Sequence, residues 1–206
     1  MLTPTEEAVS TGKLIGSGAF TRCYELASDP SRVVIITVDP LKEAYSDISI
    51  DPPGDHFPQL EWIAYGLYIA PRYERVTAPK RQLTPEDYAA YKAARRLLPG
   101  ALFGGKHKWF SDAVYEISTQ LIIQGHDDIG CALQRGMDSV MNYGHDISME
   151  ISPRNIAVDK QGRLILLDVF YDVEEMHGKD NRARLKKRKR WLMDEGCLRR
   201  HKTTYY

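Results

Sequence analysis

Two stretches of this 206-residue chain hold residue types suited to phosphate and a hard cation. The early one is Ile15-Gly16-Ser17-Gly18-Ala19-Phe20-Thr21-Arg22-Cys23-Tyr24. Glycines between two strands let a backbone turn tightly and approach a ligand, with N–H groups aimed at phosphate oxygens. A plain hairpin with glycine in its turn has the same composition. The late stretch is Glu150-Ile151-Ser152-Pro153-Arg154-Asn155, which leads through an apolar segment to Leu167-Asp168-Val169-Phe170. If that segment folds back on itself, the Asn155 amide oxygen and the Asp168 carboxylate converge. Such oxygens suit Mg²⁺, which takes few protein ligands and fills its shell with phosphates and water. Glu150 adds a carboxylate that can accept a hydroxyl proton.

Those residues need elements to hold them. Lys13–Ile15 and Arg22–Leu26 read as short strands around the glycine bend, and Arg32–Val38 is a β-branched run suited to a buried strand. Asp39–Pro58 is loop-rich with a short helix around Leu41–Tyr45, and Leu60–Ala64 and Leu67–Ala70 read as two more strands. Thr84-Pro85-Glu86-Asp87 starts a helix that Pro99-Gly100 ends. Trp109–Gln124 fits helix and strand equally. In Asp128–Asn142 the four-residue spacing of Ile129, Leu133, Met137 and Met141 predicts a buried helix face. Ile156–Val158 and Arg163–Leu167, around Asp159-Lys160-Gln161-Gly162, form a hairpin. A β-rich half followed by a helical half with one late hairpin is an α+β arrangement in two lobes.

The order and offsets of these motifs resemble the protein-kinase superfamily. Gly16, Ser17, Gly18 and Phe20 match its phosphate-covering loop, with Thr21 where the third glycine stands. Glu150 lies five residues before Asn155, and Asp168 thirteen after it, the family's offsets for the catalytic acid, the metal-binding Asn and the metal-binding Asp. Gly66–Glu74 looks like the strand entering a kinase hinge, which places adenine-binding groups at Arg72 and Tyr73. Among kinases the chain is most similar to the early Ser/Thr protein kinases of short-tailed bacteriophages. The likeness covers residues 13–38 and 143–172, and the remainder in outline. It implies a β-rich N-lobe over 1–76, a reduced, mainly helical C-lobe over 77–178 and a basic tail over 179–206. It further implies ATP and Mg²⁺ as cofactors, a host protein as partner and the host cytoplasm as the place of action.

Three departures bear on activity. The third strand, Val33-Val34-Ile35-Ile36-Thr37, has no phosphate-pairing Lys, and Lys13, Arg22 and Lys42 are the cations that could replace it. The catalytic Asp is Glu150, one methylene longer. Val169-Phe170 stands where Phe-Gly is usual, and only 36 residues follow. A catalytically dead kinase-fold scaffold that blocks a host enzyme or nucleic-acid complex is the alternative.

Other motifs are weaker. Gly100–His107 nearly spells a P-loop, but a helix precedes it and His107 replaces the hydroxyl residue. His145-Asp146 lies too far ahead of Asn155 for the same loop, and no GxSxG elbow supports a hydrolase.

Composition narrows the classes further. The 28 Lys and Arg cancel the 28 Asp and Glu, yet Lys179–Lys202 carries a net +8 and the preceding part −8. The dense run over 182–192 suits nucleic acid or an acidic protein surface. No apolar run is long enough to span a membrane, and the first residues lack a signal-peptide pattern. Three scattered cysteines without a CxxC pair fit a reducing cytoplasm.

Overall fold

The computed structural model describes residues 12–18, 20–26, 28–39, 41–42, 44, 56–64, 66–100, 102–103, 108–142, 147–172, 183–187 and 190. It is a mixed α+β fold. Strands β1 (Leu14–Ser17), β2 (Thr21–Glu25), β3 (Arg32–Thr37), β4 (Glu61–Ala64) and β5 (Leu67–Pro71) form one antiparallel sheet in the order β1-β2-β3-β5-β4. β-branched residues dominate β3, and they pack best on a pleated surface with neighbours on both sides. It sits at the centre, opposite β2 through Cys23↔Ile35 and β5 through Val34↔Ile69.

Strand alternation gives this sheet two different faces. Val34, Ile36, Leu67 and Ile69 pack with Tyr24 and Leu26 in a small cluster on one side. Val33, Ile35, Tyr68 and Ala70 point to the other side and join the main core. That core continues through the helices to Ile156, Leu164 and Phe170, so apolar packing crosses residue 76 without a break.

After β6 (Glu74–Arg75) come α1 (Pro79–Gln82), α2 (Pro85–Leu97), β7 (Leu102–Phe103), α3 (Lys108–Ile123) and α4 (Asp127–Met141). Thr84 caps α2 as its sequence indicates, accepting the Asp87 N–H on its hydroxyl. The ambiguous segment 109–124 is helix as far as Ile123, with Gln124 in the turn that follows. On α4 the buried face runs through Ile129, Leu133, Met137 and Val140, whereas Met141 is 42% exposed. A spacing of four overshoots the helical turn, so three such steps rotate Met141 about 120° off the face that Ile129 begins. Val140 falls back onto it.

The last strands are β8 (Ile147–Met149), β9 (Ile156–Val158), β10 (Leu164–Leu166) and β11 (Phe170–Asp172). β9 and β10 make the expected hairpin, and β6 extends it through Glu74↔Val158. β8 pairs with β11 and with β7. His56 and Asp87 fasten the hairpin to the rest. The His56 ring Nδ1 is 2.9 Å from the Leu164 carbonyl, and because a carbonyl only accepts, that nitrogen carries the proton. The Leu166 N–H donates to the His56 carbonyl, and the Leu164 N–H to Asp87 Oδ2.

Within the basic tail, Ala183–Lys187 is helical and Leu185 is buried, so this part rests against the body. Trp191 and Leu192, at the end of the dense basic run, lie outside the described residues, as do His145 and Asp146. Among the described residues no helix is long and apolar enough to cross a membrane.

Candidate functional site

The late motif closes on itself through the backbone. The Asn155 carbonyl accepts the N–H groups of both Leu167 (2.8 Å) and Asp168 (3.3 Å), which fixes the two ends of the hairpin side by side. The Glu150 N–H donates to the Val169 carbonyl at 2.8 Å. Arg95 on α2 reaches across to the Ile151 carbonyl at 2.7 Å and holds the intervening loop. The backbones of Glu150, Asn155 and Asp168 are therefore neighbours, while the Glu150 carboxylate is within electrostatic reach of Tyr171. The Asn155 side-chain nitrogen donates to the Glu150 carbonyl at 3.2 Å, which turns its amide oxygen the other way.

A cation meets this group, and it is Lys42. Its Nζ donates to Asp168 Oδ1 at 2.9 Å and to the Leu167 carbonyl at 2.8 Å. The Lys42 side chain is 7% exposed and that of Asp168 35%, so the carboxylate keeps an open side. Burial by itself works against the ammonium charge, but the carboxylates of Asp168 and Asp39 outweigh it and raise the Lys42 pKa above its ordinary value. Leu41, Lys42 and Ala44 are helical, and Asp39 Oδ1 caps this turn by accepting the Leu41 N–H at 3.0 Å. Asp39 Oδ2 is buried without a hydrogen-bond partner. Burial, then the nearby Asp168 charge, pushes the Asp39 carboxyl up to about 7 against the pull of Lys42.

The other two candidate cations are spent elsewhere. Arg22 lies on β2 between Cys23 and Thr21, and its guanidinium donates to the carbonyls of Gly18 and Thr21. Lys13 is exposed, ahead of β1.

The glycine stretch approaches the same place through Cys23. Gly16 pairs with Cys23 across the first two strands, and a Cβ on Gly16 would stand 3.3 Å from Cys23 Cβ. The free thiol of Cys23 is within electrostatic reach of Lys42 and Asp168, and burial is the main cause of its raised pKa. Neither Gly16 nor Gly18 has a positive φ, so the glycines here provide space over Cys23 and not an unusual backbone. Gly18 N–H donates to the Thr21 carbonyl and closes the bend. Ser17 is exposed on it. Phe20 is tucked inward, its carbonyl accepting from Val38 N and Thr37 Oγ1.

Arg72 and Tyr73 stand apart. The Arg72 N–H donates to the Ser31 carbonyl and its guanidinium to Glu25, while the Tyr73 hydroxyl accepts the Gln59 N–H. Both line a cavity to which none of Gly16, Lys42, Glu150, Asn155 or Asp168 contributes.

Sequence reasoning left Lys42 as one of three options and passed over Asp39 and Cys23. An Asp–Pro pair directly after a buried strand is a helix-start signal that could have singled out the turn carrying Lys42. Asn155 and Asp168 supply the hard oxygen donors that Mg²⁺ takes. Among the described residues no group of three or more His, Cys, Asp or Glu is placed to hold a metal ion.

No family model, no curated protein and no solved structure matches this chain.

Proposed function

We propose that this chain is a small kinase-like protein that binds ATP with Mg²⁺ and passes the terminal phosphoryl group to a Ser or Thr hydroxyl of a host protein. The observation that carries the reading is the Lys42–Asp168 pair at a partly open place, next to the backbone junction that holds Asn155 and Glu150. Phosphoryl transfer depends on positioning and electrostatics, and this cluster offers a fixed ammonium, a carboxylate and an amide oxygen. Lys42 takes the part of the missing strand lysine, reaching in from the turn after β3. The hydroxyl oxygen forms the new bond to phosphorus, ADP leaves, and the hydroxyl proton passes to the Glu150 carboxylate. Mg²⁺, when held by Asn155 and Asp168, would neutralise phosphate charge.

One observation favours the scaffold alternative. Lys42 already has two acceptors, and one of them is the carboxylate a metal would need. Binding ATP·Mg²⁺ must therefore displace or share a buried ion pair.

Thermal-shift measurements with ATP·Mg²⁺, followed by transfer of labelled phosphate, test both readings. A stabilising shift with transfer that disappears in Asp168→Ala supports the kinase. A shift without transfer assigns the scaffold. No shift and no transfer removes the kinase and leaves the scaffold, and transfer that survives Asp168→Ala removes the site.

A further inference from the structure

The cavity that Arg72 and Tyr73 line lies where the β2–β3 turn, the segment after His56, the end of β5 and the tip of the β9–β10 hairpin meet. Its volume is about 300 Å³, at the lower end of the range for small-molecule sites. Four cationic side chains line it, Arg32, Arg72, Lys160 and Arg163, and Asp159 is the only carboxylate among its lining residues. The carboxylates that pair with two of the arginines are not part of the lining. Glu61 holds Arg32, and Glu25 holds Arg72 at 2.7 Å. Asp159 is committed to its own turn, accepting from the N–H groups of Gln161 and Arg163 and from Arg163 Nε at 2.8 Å.

The Glu25 pairing uses part of the Arg72 guanidinium, which carries five N–H donors, so the pairing aims that group and leaves donors over. Lys160, at the hairpin tip, makes no hydrogen bond or ion pair among the described residues, with Asp29 its electrostatic neighbour. The Tyr73 hydroxyl accepts from Gln59 N–H, so its own proton remains to be donated. Its phenol pKa is raised, chiefly by burial, so the proton stays on. Tyr73 and Pro71 supply the apolar part of the wall, since the Phe57 ring is turned into the core.

Several donors, a surplus of positive lining charge and the Tyr73 ring describe a receptor for a compact anion with a flat apolar body. We infer that this cavity binds a small aromatic or heterocyclic phosphate monoester, through Arg72, Lys160, Arg163 and the Tyr73 hydroxyl. The inference is independent of the reading given to Lys42 and Asp168, because the two places share no lining residue.

The test uses the full chain, isotope-labelled, titrated with phenyl phosphate and, in parallel, with phenol. Saturable shifts of the Gln59, Tyr73 and Gln161 amides are expected with phenyl phosphate. The amides of Gly16, Cys23 and Asn155 should stay in place. Phenol should bind at least tenfold more weakly. Lys160 is at an exposed turn, so Lys160→Glu folds normally, and it should weaken phenyl phosphate at least fivefold. Shifts confined to the basic tail or to the Gly16 and Asn155 region would overturn the assignment. So would equal binding of phenol, unchanged affinity in Lys160→Glu, or no saturable shift.

Discussion

Lys42 and Asp168 are 126 residues apart in the chain, and their side chains meet at 2.9 Å. The pair joins the turn that follows the central strand to the end of the late hairpin, so it couples the two parts of the candidate site. Opposite charges in a poorly solvated place stabilise one another only while both are present; removing one strands the other.

Lys42→Met removes the buried ammonium and leaves Asp168 and Asp39 facing each other. Breaking a buried pair costs about 3–5 kcal/mol, and the 35% exposure of Asp168 reduces this to about 2–3 kcal/mol. Urea unfolding should report that loss. Any thermal shift given by ATP·Mg²⁺ to the parent chain should vanish in the same variant.

Asp39 gives stability a particular pH dependence. Its carboxyl has an ordinary value of 3.8 and is raised to about 7 in the fold, with burial as the first cause. The folded state therefore binds more protons than the unfolded state between those values. This contribution is fully present below about pH 4 and is lost as pH rises through about 7. In Asp39→Asn the side chain still caps Leu41 but no longer titrates, so the stability difference between variant and parent should grow in the variant's favour from pH 5 to pH 8. A difference that stays flat across chemical unfolding curves in that range would show that Asp39 is ionised throughout.

Gly136 on α4 is a packing requirement. A Cβ there would stand 2.7 Å from Phe57 Cζ and 2.8 Å from Phe170 Cε2. Helix propensity favours Ala over Gly by about 1 kcal/mol, and overpacking a core costs about 1–3 kcal/mol. The rings are nearly unexposed and have little room to move, so Gly136→Ala should be destabilising by about 1–2 kcal/mol. Phe170 follows Asp168 by two residues, so the variant should also reduce any thermal shift that ATP·Mg²⁺ gives the parent chain. Melting curves with and without ATP·Mg²⁺ check both effects.

Asp87 serves two elements at once. Its Oδ2 accepts from the Thr84 hydroxyl at 3.0 Å and from the Leu164 N–H at 3.2 Å, which ties the start of α2 to the hairpin. Asp87→Ala leaves the half-buried Leu164 N–H unsatisfied and loosens the cap, a loss of about 2–3 kcal/mol. Hydrogen exchange should show Leu164 and Leu166 losing protection more than the helical amides of α4.

Much of the frame was legible beforehand because long elements carry a period. The apolar run of β3, the Thr84 cap and the turn between Val158 and Leu164 each satisfy a local rule, and local rules are written in neighbouring residues. The candidate trio Glu150, Asn155 and Asp168 was legible for the same reason, since one loop and one hairpin bring it together. Strands of two or three residues, such as β6, β7, β8 and β11, are too short to show a period and exist because partners were already in place. Met141 was misassigned to the buried face because a spacing of four drifts off a 3.6-residue turn, and only the packed helix revealed Val140 instead.

By itself, then, the sequence determined the longer strands, the helices with clear caps or spacing, and the order of the chemical groups, because backbone preference and burial pattern act over a few residues. Tertiary structure decided which cation serves Asp168 and which cavity receives Arg72 and Tyr73. Those outcomes depend on distances between segments far apart in the chain, and Coulomb attraction and desolvation act on distance in space without regard to sequence separation.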